Sequence, residues 1–202
     1  MTGDVRLASG TTSAELAPAE PETAEWVRRA RAGDDDAFAF LVRRHERMVL
    51  RTALGLLGRL DAAEDAAQDT FLRLHKYLHR FDEARELGPW LYRIVVNACH
   101  NLSRRQSRAV SLEETGDLPA VGGAESVEQL AGGAWKRRIV EAALATLPAK
   151  ERAAIVLRDI EGLPTAEVAR ILESSEGTVR SQISTGRLKI KRYVEARGKR
   201  PE

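Results

Sequence analysis

From Phe38 to Leu57 the apolar residues fall at Phe38, Leu41, Val42, Met48, Val49, Ala53, Leu56 and Leu57. That is the i, i+3, i+4, i+7 spacing of one helical face. The two-residue alternation of a half-buried strand is absent at any useful length. The same helical spacing recurs wherever the chain is apolar, so the sequence predicts an all-α protein. Hydrophobic residues make up 43% of the 202, enough to fill helical cores, but aromatics supply only 5%. Such cores must be built from Leu, Val, Ile and Ala. No apolar run approaches the roughly 20 residues that cross a bilayer. The first residues, MTGDVRLASG, lack the apolar centre of a signal peptide. The expected location is cytoplasmic.

Punctuation divides the pattern into helices. A short helix is expected over Thr23–Ala32, stopped by Gly33, and Asp34–Asp36 place charge at the start of the Phe38 stripe. Gly58 ends that stripe. Asp61 with Glu64 three residues on predicts a capping box for a helix burying Ala67, Phe71, Leu74 and Leu78. Its other face holds Asp61, Glu64, Asp65, Gln68 and Asp69 with no base among residues 61–70. A solvated surface tolerates that run, and a docking face for a basic partner would use it. Arg80–Leu87 reads as a loop. Pro89 suits the first position of a helix over Trp90–Arg105, which would bury Leu91, Ile94, Val95, Ala98 and Leu102. Tyr92, Arg93, Asn97, His100, Asn101, Arg104 and Arg105 would then face outward. Arg, Asn and aromatic side chains on one face suit unpaired bases, or Trp90 and Tyr92 simply close the bundle.

Residues 107–134 lose the pattern to Gly pairs, Pro119 and acids, which predicts a flexible acidic linker between two small helical domains. Residues 1–22 are polar and Pro-containing and are expected to be disordered. The expected division is thus a tail over 1–22, a first domain over 23–106, the linker, a second domain over 135–195 and a basic tail over 196–202. Net charge is only +2, yet it is unevenly spread. Residues 111–134 hold five acids and no base, whereas Glu176 to the end holds eight bases and three acids.

Within the second domain, Gly162–Arg192 reads as two helices and a polar turn. Val168, Ile171 and Leu172 make one apolar face. Ser174 and Ser175 offer an N-cap to a following helix that buries Val179, Ile183, Leu188 and Ile190. The rest of that helix presents Thr178, Arg180, Ser181, Gln182, Ser184, Thr185, Arg187, Lys189 and Lys191. Arg and Gln can read base edges, and Lys, Ser and Thr can hold phosphates. This is the pattern of a helix-turn-helix, and equally of an amphipathic hairpin with a solvated basic face. Glu173 occupies the turn, where Gly is usual. Gly186 interrupts the second helix, either to let a backbone approach DNA or as a tolerated residue.

Other chemistry finds little support. The single cysteine, Cys99, excludes an intrachain disulfide and is expected to be a buried thiol. His75 and His79 share a helical spacing without a Cys or carboxylate set to complete a metal site. No Gly-rich phosphate loop or nucleophile–base motif is present, so no catalytic residue, metal, cofactor or small-molecule substrate is expected.

Five stretches, in order, resemble a known family: DDDAFAFLVRRHERMVLRTALGLLG, AEDAAQDTFLRLHKYLHRF, GPWLYRIVVNACHNLSRR, LATLPAKERAAIVLRDIEGLPTAEVARIL and EGTVRSQISTGRLKIK. Together they resemble an extracytoplasmic-function (ECF, group 4) sigma factor of the sigma-70 class. The resemblance implies a transcription-initiation factor that binds core RNA polymerase and promoter DNA under the control of an anti-sigma factor. It implies that Asp61, Glu64, Asp65, Gln68, Asp69 and Leu72 dock on the polymerase. Arg80, Phe81, Trp90, Arg93, Asn97, Asn101, Arg104 and Arg105 are implied to recognise and open the minus-10 element. Thr178, Arg180, Ser181, Gln182, Ser184, Thr185, Arg187, Lys189 and Lys191 are implied to face the minus-35 element. Gln182 and Ser184-Thr185-Gly186 depart from the basic or aromatic residues usual there. The competing reading is a stand-alone helix-turn-helix regulator, which binds duplex DNA without polymerase.

Overall fold

The computed structural model describes residues 21–112 and 132–197, which are helical and contain no strand. Most of the expected N-terminal tail, of the linker and of the basic tail lies outside the described residues. The first bundle comprises α1 (Pro21–Arg31), α2 (Asp35–Leu57), α3 (Leu60–Tyr77), a 3₁₀ turn (Leu78–Arg80) and α4 (Leu87–Leu112). The second comprises α5 (Gly132–Ala145), α6 (Ala149–Ile155), α7 (Thr165–Ile171) and α8 (Glu176–Arg197).

Most helix ends follow the predicted signals. Asp34 caps α2, its carboxylate accepting the Ala37 N–H at 3.0 Å. Gly58 closes the same helix in the left-handed conformation, φ 73°, where a β-carbon is disfavoured. Ser175 caps α8, its Oγ accepting the Thr178 N–H at 3.1 Å. Glu173 adopts the left-handed φ of 51° in the turn between α7 and α8, doing there what Gly does more easily.

Three ends differ. The capping box at Asp61 does not form: α3 begins at Leu60, and Arg59 stands at the cap. Asp61 is thus already inside the helix, where it meets the dipole and accepts from Arg59 Nε at 3.2 Å. Helix α4 starts at Leu87 rather than Pro89, because Leu87 is anchored in the core and the first turn needs no N–H from Pro89. At its far end α4 continues to Leu112, six residues into the expected linker, and α5 begins at Gly132.

Helix α6 runs on through a π-helical turn, Val156–Ile160, in which the Glu161 N–H reaches the Val156 carbonyl at 2.9 Å. Gly186 has a packing reason. A β-carbon there would lie 2.9 Å from Ile155 Cγ1 and 3.7 Å from Leu147 Cδ1. The residue is buried and lets α8 lie against α6.

Two cores follow the sequence pattern: Val27, Leu41, Leu74, Leu78, Phe81, Leu87 and Leu91 in the first bundle, and Leu144, Leu147, Ile155, Leu157, Val168, Val179 and Ile183 in the second. A further core lies between them. Val49, Ala53, Leu56, Val95 and Cys99 of the first bundle enclose Ala153 and Val156 of the second. The two bundles therefore share one apolar core.

Candidate functional site

Helix α3 turns its Ala62, Ala63, Ala66, Thr70 and Leu74 inward, so the opposite face is left to solvent. Asp61, Glu64, Asp65 and Gln68 are exposed there, and Asp69 is half-buried. Leu72 beside them is 63% exposed, unusual for a large apolar side chain. Arg59 pairs with Asp61, and Arg73 Nε pairs with Asp69 at 2.8 Å. Glu64 and Asp65 have no cationic partner among the described residues. The geometry is an open acidic surface with an apolar contact point.

The expected minus-10 residues divide. Arg80, Asn97, Arg104 and Arg105 are exposed, while Trp90, Arg93 and Asn101 are half-buried. Phe81 is in the core of the first bundle, 6% exposed, with its ring centroid 5.0 Å from that of Trp90. Its ring therefore serves packing and does not lie on an open face. Tyr92, expected to face outward, is also buried, and here the cause is the second bundle. Its hydroxyl donates to Glu161 Oε2 at 3.0 Å. Burial, with the Glu161 charge alongside, pushes the Tyr92 pKa well above the phenolic value. Arg93 donates to the carbonyl of Arg170 at 3.1 Å.

The second helix of the helix-turn-helix follows its pattern in its first half, whereas Leu188, expected to be buried, is 48% exposed and Ile190 is half-buried, because the later turns run past the edge of the second core. Val179 and Ile183 are buried, and Thr178, Arg180, Ser181, Ser184, Thr185, Arg187 and Lys191 are exposed. The basic residues are not all free of the protein. Arg187 Nε donates to Asp159 Oδ2 at 2.9 Å, and Lys189 Nζ donates to Glu151 Oε1 at 2.8 Å. Arg180 pairs with Glu176 one turn back. Gln182 is half-buried, and its amide oxygen has no partner among the described residues.

A cleft of about 440 Å³ opens beside this shared core and is lined by both bundles. Asn97 and His100 of α4 line one wall, and Thr178 and Gln182 of α8 line the other. Cys99 forms part of the floor, and burial pushes its thiol pKa up to about 12, so it is an inert packing group. No group of three or more His, Cys, Asp or Glu side chains suited to a metal occurs among the described residues. No described helix is long and apolar enough to cross a membrane.

Glu161, Arg51 and Arg152 were not singled out by sequence, yet they define how the bundles meet. Glu161 has no exposed side-chain surface and accepts from Arg51 Nε at 2.8 Å as well as from Tyr92. Arg152 donates to the Leu56 carbonyl at 2.9 Å across the interface. Arg51 and Glu161 are 110 positions apart, so no local spacing could have paired them.

Comparison with known proteins places these surfaces in a family. The family described as Sigma-70 region 2 matches residues 41–109, and Sigma-70, region 4 matches residues 137–190. The chain is 34% identical over 175 residues to the ECF RNA polymerase sigma factor SigM of Mycobacterium tuberculosis (strain H37Rv), covering 87% of this chain and 86% of that one. It is 28% identical over 178 residues to the ECF RNA polymerase sigma factor SigW of Bacillus subtilis, covering 83% and 94%. Among solved structures it resembles CnrH in complex with the cytosolic domain of CnrY, with a TM-score of 0.64, 25% identity and coverage of 86% and 97%. The fold is also that of the sigma factor RpoE in complex with the anti-sigma factor NepR from Bartonella quintana, with a TM-score of 0.67, 23% identity and coverage of 78% and 96%. With both regions present in order and a curated relative matched over most of its length, the chain belongs to the ECF RNA polymerase sigma factors of the sigma-70 class.

Proposed function

We propose that this sigma factor docks on core RNA polymerase through the outer face of α3, with Asp61, Glu64, Asp65, Gln68 and Asp69 meeting a basic surface and Leu72 filling an apolar contact. The observation that carries the reading is the pairing on one small protein of an open acidic face with a helix-turn-helix whose second helix exposes Arg180, Ser181 and Ser184. A stand-alone regulator has no use for the first of these. The region over 23–106 is then the polymerase-binding and minus-10 domain, and 135–195 the minus-35 domain.

At the minus-35 element, α8 enters the major groove. Arg180, Thr178 and Gln182 are placed for base edges, and Ser181, Ser184, Thr185 and Lys191 for phosphates. Arg187 and Lys189 reach phosphates only by leaving Asp159 and Glu151. At the minus-10 element, Arg80, Asn97, Asn101, Arg104 and Arg105 surround the strand that opens. Extruded bases gain stacking and polar contacts that offset an unstacking cost of a few kcal/mol. The polymerase performs the nucleotidyl chemistry, so this chain is not an enzyme and works in the cytoplasm. The solved relatives bound to CnrY and to NepR support control by an anti-sigma factor here as well.

The test is gel filtration of the full chain with sigma-free bacterial core polymerase at moderate salt. Co-elution is expected. A folded chain that stays apart from polymerase yet binds promoter duplex tightly would instead make it a stand-alone regulator.

A further inference from the structure

We infer that Arg31 of α1 is a positioning residue for strand capture: it holds the turn at Leu78–Arg80 so that Arg80 meets an unpaired base in a fixed orientation. The inference rests on the assignment of that turn to the minus-10 element. Helix α1 lies wholly before residues 41–109, the stretch matched to Sigma-70 region 2.

Between Arg80 and Leu87 the backbone leaves the helical ladder, so side chains must fix its course. Phe81 and Leu87 anchor the segment from within the first core. The Asp82 carboxylate accepts the Ala84 N–H at 3.1 Å. The outward side is held from α1. Arg31 Nη2 donates to the His79 carbonyl at 3.1 Å, and Arg31 Nη1 stands 3.8 Å from Glu83 Oε2. That oxygen is covered from water and makes no hydrogen bond, so the cation beside it is what offsets its desolvation. Arg28, one turn earlier on α1, adds its charge near the same carboxylate. One guanidinium thus ties two points of the turn to a helix 48 positions away from His79.

Helix α1 is itself firmly seated. Val27 is fully buried in the first core, and the Trp26 ring stacks on Phe40 of α2 with centroids 4.3 Å apart. Arg29 Nε donates to Asp34, the cap of α2, at 2.8 Å. From His79 the order passes to Arg80. Its Nε donates to His79 Nε2 at 3.2 Å, and its guanidinium lies 5.5 Å from the centre of the Tyr77 ring. A guanidinium oriented on two sides presents its planar fork in one direction, which suits the edge of a base. A phosphate needs only a nearby cation. Arg31 commits its own fork to His79 and Glu83, so it acts through Arg80.

The test uses the full chain with core polymerase and two single-stranded oligonucleotides. One is selected from a randomised DNA pool by the holoenzyme of the unmodified chain; the other is a scrambled strand of equal length and composition. For Arg31→Ala, affinity for the selected strand is expected to fall roughly threefold or more, the scale of one part-exposed charged hydrogen bond. Binding of the scrambled strand, co-elution with polymerase and the urea midpoint should be little changed. Loss of a positive charge alone weakens both strands alike, because phosphate contacts carry no sequence information. That result would overturn the inference, as would unchanged binding of both strands or a loss that tracks a lowered urea midpoint. Each of these leaves the sigma reading standing. Failure of the unmodified chain to co-elute with polymerase, or to select any strand, would instead overturn the minus-10 assignment and the inference with it.

A second variant separates positioning from charge by sign. Glu83→Gln removes a negative charge, which by itself raises affinity for any nucleic acid. Its weakened hold on Arg31 is expected instead to lower discrimination between the two strands roughly twofold or more. Stronger binding of both strands, with discrimination unchanged, would overturn the part given to Glu83.

Discussion

Two helices of the first bundle, α3 and α4, each present a polar outer face, and the structure treats the two faces differently. The outer face of α3 is open: Glu64 and Asp65 stand in water without a described cationic partner, and Leu72 is 63% exposed. The corresponding stretch of α4 is covered, with Tyr92 8% exposed and Arg93 hydrogen-bonded to the second bundle. Both helices have similar amphipathic patterns, and only the neighbour of each decides the outcome.

The sharpest way to break this comparison is at α3. Glu64→Lys with Asp65→Lys should weaken association with core polymerase by about 2–3 kcal/mol, or roughly 30–150-fold. Both side chains are exposed, so the scattering profile of the free chain should stay compact. Co-elution and scattering on the same sample check the pair of outcomes. A shift to an extended free form would mean that the two faces are coupled.

A smaller effect separates packing from DNA reading on α8. Gly186→Ala places a β-carbon 2.9 Å from Ile155 Cγ1. Overpacking of this kind costs about 1–3 kcal/mol, which a denaturant midpoint would register. Binding of the minus-35 duplex at a temperature where the variant is folded should be little changed. Selective loss of binding with unaltered stability would return Gly186 to the DNA face.

The smallest effect concerns His45 on α2. Burial lowers its pKa from the ordinary 6.5, and the nearby Arg44 charge adds to this. The hydrogen bond from Nδ1 to the Leu41 carbonyl, at 2.8 Å, opposes it only in part. The folded state thus binds the proton less readily than the unfolded state. The His45 share of stability is present above about pH 6.5 and is lost as pH falls through the lowered value. Urea unfolding between pH 7.5 and 5 should show a shallower decline for His45→Gln than for the parent. An equal or steeper decline would mean that His45 is not the group responsible.

Much of the fold was legible because its causes are local. The stripe from Phe38 to Leu57, the cap at Asp34, the stop at Gly58 and the Ser175 cap each depend on residues within a turn or two. The exposed side of α3 followed from the inward side, since a helix with one apolar face has only one other. The misjudged residues share a different cause. Tyr92 was read from α4 alone as outward, but its cover comes from Glu161, 69 positions away. Phe81 looked available in a loop, yet the chain folds it under Trp90 and Leu87. Asp61 failed as a cap because the preceding residue, Leu60, already has helical backbone.

The sequence by itself therefore determined the helices, many of their ends, the family and the composition of each surface, since short-range spacing and side-chain chemistry carry that information. Only the tertiary structure decided which surfaces are available. Contacts such as Arg51 with Glu161 and Gly55 with Val156 join residues about a hundred positions apart. Their pairing arises from the packing of whole bundles, for which no helical period provides a signal.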